Sequence, residues 1–253
     1  MYKKRASQVV VTIFLMLISL VSLLAEDTED AKPAASVDDI KESVEGEESK
    51  EAYTAEQEYL FDIFKKRRSV RKFKSTPIPK EHIIKILGVA CSAPTAGNQQ
   101  PWKFLVIQDR DKLNQLKEEN IALALERAKK REDFDPAKLD EKRQQVGLMY
   151  DRYLSAPVHI IVLVDSNSKY PSYNLYDGAL AAGYLLIAAR SLGYGTVFTT
   201  DIFPYETTKR VFKIPDNYKQ ICFIPVGVPD KWPESLEKKS LQEFIVFEKF
   251  ADQ

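Results

Sequence analysis

Three arginines, a serine and a lysine fall together in Arg67-Arg68-Ser69-Val70-Arg71-Lys72-Phe73, directly after an apolar turn with Leu60, Ile63 and Phe64. Planar guanidinium groups grip phosphate through paired hydrogen bonds, a hydroxyl adds a small donor, and a nearby helix terminus can add backbone N–H groups. The run suits an anion such as a cofactor phosphate. Taken alone it also reads as a solvated basic loop, the common fate of short cationic runs.

A second stretch, Ser92-Ala93-Pro94-Thr95-Ala96-Gly97-Asn98-Gln99-Gln100-Pro101-Trp102, leads into the apolar run Phe104 to Ile107. Small residues and a glycine allow close approach to a flat ligand, and Asn98, Gln99 and Gln100 carry the amide donors and acceptors that a heteroaromatic edge requires. One chain thus holds a phosphate grip and a ring-edge reader.

These two stretches resemble the FMN-dependent nitroreductase superfamily, which opens on Arg-Arg-Ser-x-Arg-x-Phe and continues with a Pro-Ser-x-x-Asn-x-Gln-Pro-Trp type segment before a strand. The likeness spans roughly residues 59 to 247. It implies that Arg67, Arg68, Ser69 and Arg71 contact the phosphate, ribityl chain and ring edge of FMN, that Thr95, Ala96 and Asn98 lie by the isoalloxazine, and that the backbone of Thr196 to Thr200, with Phe198 and Thr199, runs along its N5 side. Lys238 would return to the phosphate, where the family often has arginine, replacing a bidentate fork by a point charge. The implied fold is α+β, a central mostly antiparallel sheet flanked by helices, in an intertwined homodimer with a swapped, phenylalanine-rich C-terminal arm. The implied reaction is a ping-pong transfer of hydride from a reduced donor such as NAD(P)H to a nitroaromatic, quinone or similar small-molecule acceptor.

The acidic tether, apolar N-terminus and Arg-Arg-Ser-Val-Arg opening are also similar to the iodotyrosine deiodinase branch, a reductive dehalogenase alternative. That branch places a threonine hydroxyl near flavin N5 and a Glu, Tyr and Lys set on its lid. Aligned from Gly193, the threonine position falls on Phe198, and Glu118 to Leu139 contains no tyrosine. Both departures favour two-electron chemistry, although a shift of one residue would bring Thr199 to N5. A low-turnover flavin-binding module is a third reading.

The elements that must hold these residues follow from periodicity. Tyr59 to Lys66 has helical spacing, Pro79 opens a helix carrying Ile83, Ile86, Leu87 and Ala90, and Asp109 or Asp111 caps another through Leu113 and Leu116. Asn120 to Gln145 is charged and helical with a break at Asp133-Phe134-Asp135-Pro136; its own pattern reads as a solvated hairpin, whereas the superfamily resemblance implies a lid over the flavin. His159 to Val164 reads as a strand buried on both faces, Leu175 to Leu192 as a buried central helix ended by Gly193, Gly195 to Thr200 and Ile221 to Val228 as strands, and Thr207 to Phe212 as a helix. Alternating strands and helices imply one sheet.

The formal charge of zero conceals a division. Glu26 to Glu58 carries 13 acidic residues against three lysines, which leaves Tyr59 to Gln253 with 31 Lys/Arg against 24 Asp/Glu. That excess is too small to point to nucleic acid. His82 and His159 suggest neither a metal cluster nor a Ser-His-Asp arrangement, and burial as small apolar groups is expected of Cys91 and Cys222. Lys3, Lys4 and Arg5 precede the uncharged run Val9 to Ala25, the layout of a signal peptide or signal-anchor, so residues 1–25 are expected to direct export or membrane anchorage facing away from the cytoplasm. Residues 26–58 read as an acidic disordered tether and 59–253 as the FMN-binding domain.

Overall fold

The computed structural model describes residues 53–248, so the expected export segment and most of the acidic tether lie outside the described residues. Two units are distinguished, Tyr53–Glu237 and one that includes the C-terminal stretch from Lys238. Within the latter, Ser240 and Glu243 form a reciprocal capping box around a single 3-10 turn, Leu241–Glu243.

Within Tyr53–Glu237 the sheet has four strands in the order β1-β2-β4-β3, all antiparallel. They are β1 (Trp102–Ile107), β2 (Val158–Asp165), β3 (Gly195–Thr196) and β4 (Tyr218–Gly227). The central strand β2 pairs with β1 from Trp102↔Val164 to Ile107↔His159, and with β4 from Val158↔Val226 to Asp165↔Tyr218, with a bulge at Val162/Leu163. Its side chains alternate between two cores, which is why its sequence is continuously apolar. Ile160 and Val162 face one helical layer, and Ile161 and Leu163 face the other.

The first layer is α2 (Lys80–Ala90) and α5 (Asn174–Ser191). Ile83, Ile86 and Ala90 meet Ala182, Leu185 and Ala189 over β2 and β4. At Gly178 α5 lies close against the sheet, since a Cβ there would lie 2.5 Å from Ile221 Cγ1 and 2.9 Å from Val164 Cγ1. The second layer is α3 (Arg110–Lys129), α4 (Leu139–Leu154) and α6 (Tyr205–Phe212). Phe203 stacks on Phe223 at 4.0 Å between ring centroids, with Leu113, Leu116, Tyr150 and Tyr153 in the same core.

Several expectations are revised. The helix before the arginines, α1, is Ala55–Lys66 and starts four residues early because Thr54 and Gln57 form a capping box. Of the two expected caps, Asp109 is the one that caps α3, which runs unbroken over 20 residues and so joins the Leu113–Leu116 helix to the charged helical stretch after Asn120. The Gly195 to Thr200 strand is shorter than expected: only Gly195–Thr196 pair regularly with β4, followed by one isolated bridge, Thr199↔Phe223. Cys222 is buried but Cys91 is exposed at the end of α2, and neither is in a disulfide. The apolar helix α5 buries one face only; Leu175, Tyr176, Leu180 and Tyr184 are exposed, as are Tyr59, Leu60 and Phe64 of α1. The charged segment after Asn120 forms the antiparallel pair α3/α4, with Ile121, Leu125, Val146 and Tyr150 inside and Arg143–Glu118 and Lys117–Asp151 ion pairs on its surface. Among the described residues no helix is long and apolar enough to cross a membrane.

His159 is fully buried on β2, where its Nε2–H donates to the Tyr153 carbonyl at 3.2 Å and Nδ1 has no partner among the described residues. Burial, and secondarily the Arg110 charge, lowers its pKa to about 3, against the opposing hydrogen bond to Tyr153. Below the unfolded value near 6.5 the unfolded chain binds a proton that the folded chain refuses, so stability is full above that pH and falls beneath it by about 1.4 kcal/mol per unit. Chemical denaturation at pH 7.5 and 5.5 should therefore show a stability loss that shrinks by about that amount in His159→Gln; an unchanged loss would contradict the assignment.

Candidate active site

The arginine run leaves α1 in an extended conformation, with Arg67 as its C-cap. It then lies along the open edge of the sheet: Ser69 bridges Thr196, the Val70 N–H donates to the Thr196 carbonyl at 2.9 Å, and the Lys74 N–H donates to Val228 O at 2.9 Å. Val70 and Phe73 turn inward, both buried, while Ser69 and Arg71 remain accessible. The fit depends on Gly195, where a Cβ would stand 2.6 Å from Val70 Cγ2 and 2.9 Å from Pro229 Cγ.

Lys72 is paired with Asp230 at 2.8 Å, though its side chain is mostly exposed as expected. The neighbouring arginines differ: Arg68 Nη1 donates to the Lys65 and Arg67 carbonyls and Arg71 Nη1 to Ser69 O at 3.2 Å, and among the described residues no carboxylate pairs with Arg67, Arg68 or Arg71. A cleft beside them is lined by Ser69, Arg71, Lys72, Arg152, Asp230 and Lys231. Its cations outnumber its single acid. Cations held in fixed positions without an acidic partner are the environment a phosphate requires.

Downstream of Thr196 the chain presents its outer edge. Thr199 exchanges both backbone hydrogen bonds with Phe223, and its hydroxyl also donates to Phe223 O at 2.6 Å. By strand alternation the backbone groups of Phe198 and Thr200 point away from β4. Phe198 is exposed and Thr199 buried, so at this edge the aromatic side chain is accessible and the Thr199 hydroxyl is already committed.

The Thr95–Asn98 segment forms a tight loop after α2. Gly97 and Asn98 both have φ of 54° and Gln100 has 47°. Each left-handed non-glycine residue costs on the order of 1 kcal/mol, so the surroundings must hold the shape. Asp177 of α5 accepts from Ala96 N at 3.0 Å and from Gln99 Nε2 at 2.6 Å, and the Gln99 Oε1 accepts from Tyr170 N at 2.7 Å. The loop is thereby tied to the first turn of α5, whereas Gly195 follows the last turn of that helix. The helical rise separates Asp177 from Ser191 by about 21 Å. The two stretches expected at one ligand thus occupy opposite ends of one helix. Lys238 belongs to the other described unit.

Sequence reasoning had not marked Asp177, Arg152 or Lys231 as part of a site. The available signal for Asp177 was an acid within an apolar helix; Arg152 and Lys231 carry none, since only the fold brings them beside Ser69.

The nitroreductase family model matches residues 64–228. A Methanothermobacter thermautotrophicus protein named as an NADH dehydrogenase/NAD(P)H nitroreductase is 31% identical over 179 residues, covering 69% of this chain and 79% of that one. The iodotyrosine deiodinase of Nematostella vectensis is 30% identical over 202 residues, covering 74% of each. Among solved structures, an oxidized iodotyrosine deiodinase bound to FMN and 3-iodo-L-tyrosine superposes with a TM-score of 0.61 at 27% identity, covering 76% of this chain and 100% of that one. The chain belongs to the nitroreductase family, and by that membership it is an FMN-dependent oxidoreductase.

Proposed function

We propose that this chain performs two-electron chemistry of the nitroreductase kind, accepting hydride from a reduced donor such as NAD(P)H and passing it to a nitroaromatic, quinone or similar acceptor. The observation that carries this choice is the edge at Phe198-Thr199: an exposed phenyl ring and a hydroxyl already given to Phe223 O leave neither residue's side chain free to donate to flavin N5. The flavin supplies the hydride chemistry. The chain's residues bind and orient. Arg67, Arg68 and Ser69 would hold the phosphate, and Arg71 would stabilise negative charge at the ring edge. Thr95, Ala96 and Asn98 line the ring, and the edge backbone of Phe198 and Thr200 borders its N5 side.

The working form is a homodimer whose sites use both copies. Support comes from the separation along α5, which leaves the arginines and the Thr95 loop of one chain far apart, and from the apolar outer faces of α1 and α5, where Tyr59, Leu60, Phe64, Leu175, Tyr176 and Leu180 need a surface to cover them. In this reading the arm from Leu241 crosses to the partner. Export, with or without anchorage by Val9 to Ala25, is proposed from the N-terminal pattern alone.

An acceptor screen decides between the branches. With FMN and NAD(P)H, nitroaromatic and quinone compounds should be turned over and 3-iodotyrosine should release no iodide, even with dithionite as reductant. Iodide release exceeding nitroaromatic reduction would move the chain to the deiodinase reading, which the second relative and the FMN-bound structure favour.

A further inference from the structure

Asp177 is a carboxylate only 3% exposed. Among the described residues no Lys, Arg or His pairs with it; its partners are the Ala96 N–H and the Gln99 side-chain amide. Burying a charge against neutral donors alone is costly, and the first turn of α5 returns only part of that cost. Both donors belong to the loop expected at the ring. Gln99 extends the link, since its Oε1 accepts from Tyr170 N at 2.7 Å and its Nε2 donates to Tyr170 O at 3.1 Å. Tyr170 in turn closes the space over Gly97, where a Cβ would lie 2.5 Å from Cε2 of the tyrosine ring. A carboxylate, an amide and an aromatic side chain therefore enclose a loop whose backbone is left-handed at Gly97, Asn98 and Gln100.

We infer that Asp177 is a positioning residue for cofactor binding, holding Ala96 and Asn98 in their ring-facing shape through Gln99 and Tyr170. This rests on the assignment of the Thr95–Asn98 loop to FMN. Asp177→Asn keeps the shape and an acceptor for Ala96, but it can place an amide nitrogen against Gln99 Nε2. Gln99→Leu removes the link from its other end. A double variant, Asp177→Asn with Gln99→Glu, restores the bond between positions 99 and 177 with its donor and acceptor exchanged, but faces Tyr170 O with a carboxylate oxygen in place of a donor.

The test is carried out on the full chain, with FMN as the calorimetric probe and hydrogen exchange read at the Ala96 amide. Both single variants should speed that exchange and raise the FMN dissociation constant roughly tenfold, and the double variant, which still lacks the bond to Tyr170 O, should recover at most part of the loss. The apo-protein melting temperature serves as the fold control, and Gln99→Leu, at a half-buried position, keeps the test open if Asp177→Asn does not fold. Unchanged Ala96 exchange in a folded variant, or faster exchange with unaltered FMN affinity, would overturn the inference. If wild-type protein binds no FMN, the assignment of the loop to FMN falls, and the positioning role falls with it; exchange then reports only whether Asp177 orders the loop.

Discussion

Arg67→Ala and Arg71→Ala should each weaken FMN binding by about 1.5–3 kcal/mol, roughly 10- to 150-fold, the worth of a lost charge-assisted hydrogen bond. The apo-protein melting temperature should hardly move, because among the described residues neither guanidinium is paired with a carboxylate whose charge would be stranded. Lys72→Ala supplies the contrast. Its ammonium is paired with Asp230 and mostly exposed, and an exposed pair contributes about 0–1 kcal/mol, so its loss should leave flavin affinity within a fewfold of wild type. Isothermal titration of the three variants with FMN separates the cases. Equal, small effects at all three positions would reduce the arginine run to a solvated basic loop.

The second large effect is a recovery of activity on mixing two inactive proteins. A copy with Arg67→Ala and Arg71→Ala loses two of the arginines assigned to FMN, one at the phosphate and one at the ring edge, but keeps the Thr95 loop. A copy with Gly97→Ala keeps the grip, but its loop is distorted, since the new Cβ meets Tyr170 and the backbone is left-handed at φ 54°. Where each site combines the arginines of one chain with the loop of its partner, a mixed dimer contains one site with both defects and one with none. Equal co-expression with two tags should then yield about a quarter of wild-type flavin occupancy and turnover, as half the dimers are mixed and each has one sound site. Activity no greater than the average of the two parents would place both stretches in the same subunit's site.

Much of the fold was legible because its period is unambiguous. His159 to Val164 is continuously apolar, so it had to be a strand covered on both sides, and β2 is the centre of the sheet. Local rules also narrowed the cap of α3 to Asp109 or Asp111, of which Asp109 serves, and placed the glycine stop after α5. Where local rules compete with tertiary contacts they misled. Gly195 to Thr200 has the composition of a strand, but the arginine run occupies the edge at Thr196 and only Thr199 returns to β4. The apolar circumference of α5 suggested complete burial, whereas one chain covers half of it. The family motifs named Thr95, Ala96 and Asn98 as ring contacts but gave no reason for the loop to keep its left-handed turns. That reason lies in Asp177, nearly eighty residues away in sequence.

If this nitroreductase-family chain is an FMN enzyme, calorimetric titration of the purified apo-protein with FMN must show it. Saturable, non-covalent binding of one FMN per chain is expected, accompanied by flavin absorbance that stays with the protein through gel filtration. No binding heat, together with flavin that separates completely from the protein at excess FMN, would contradict it.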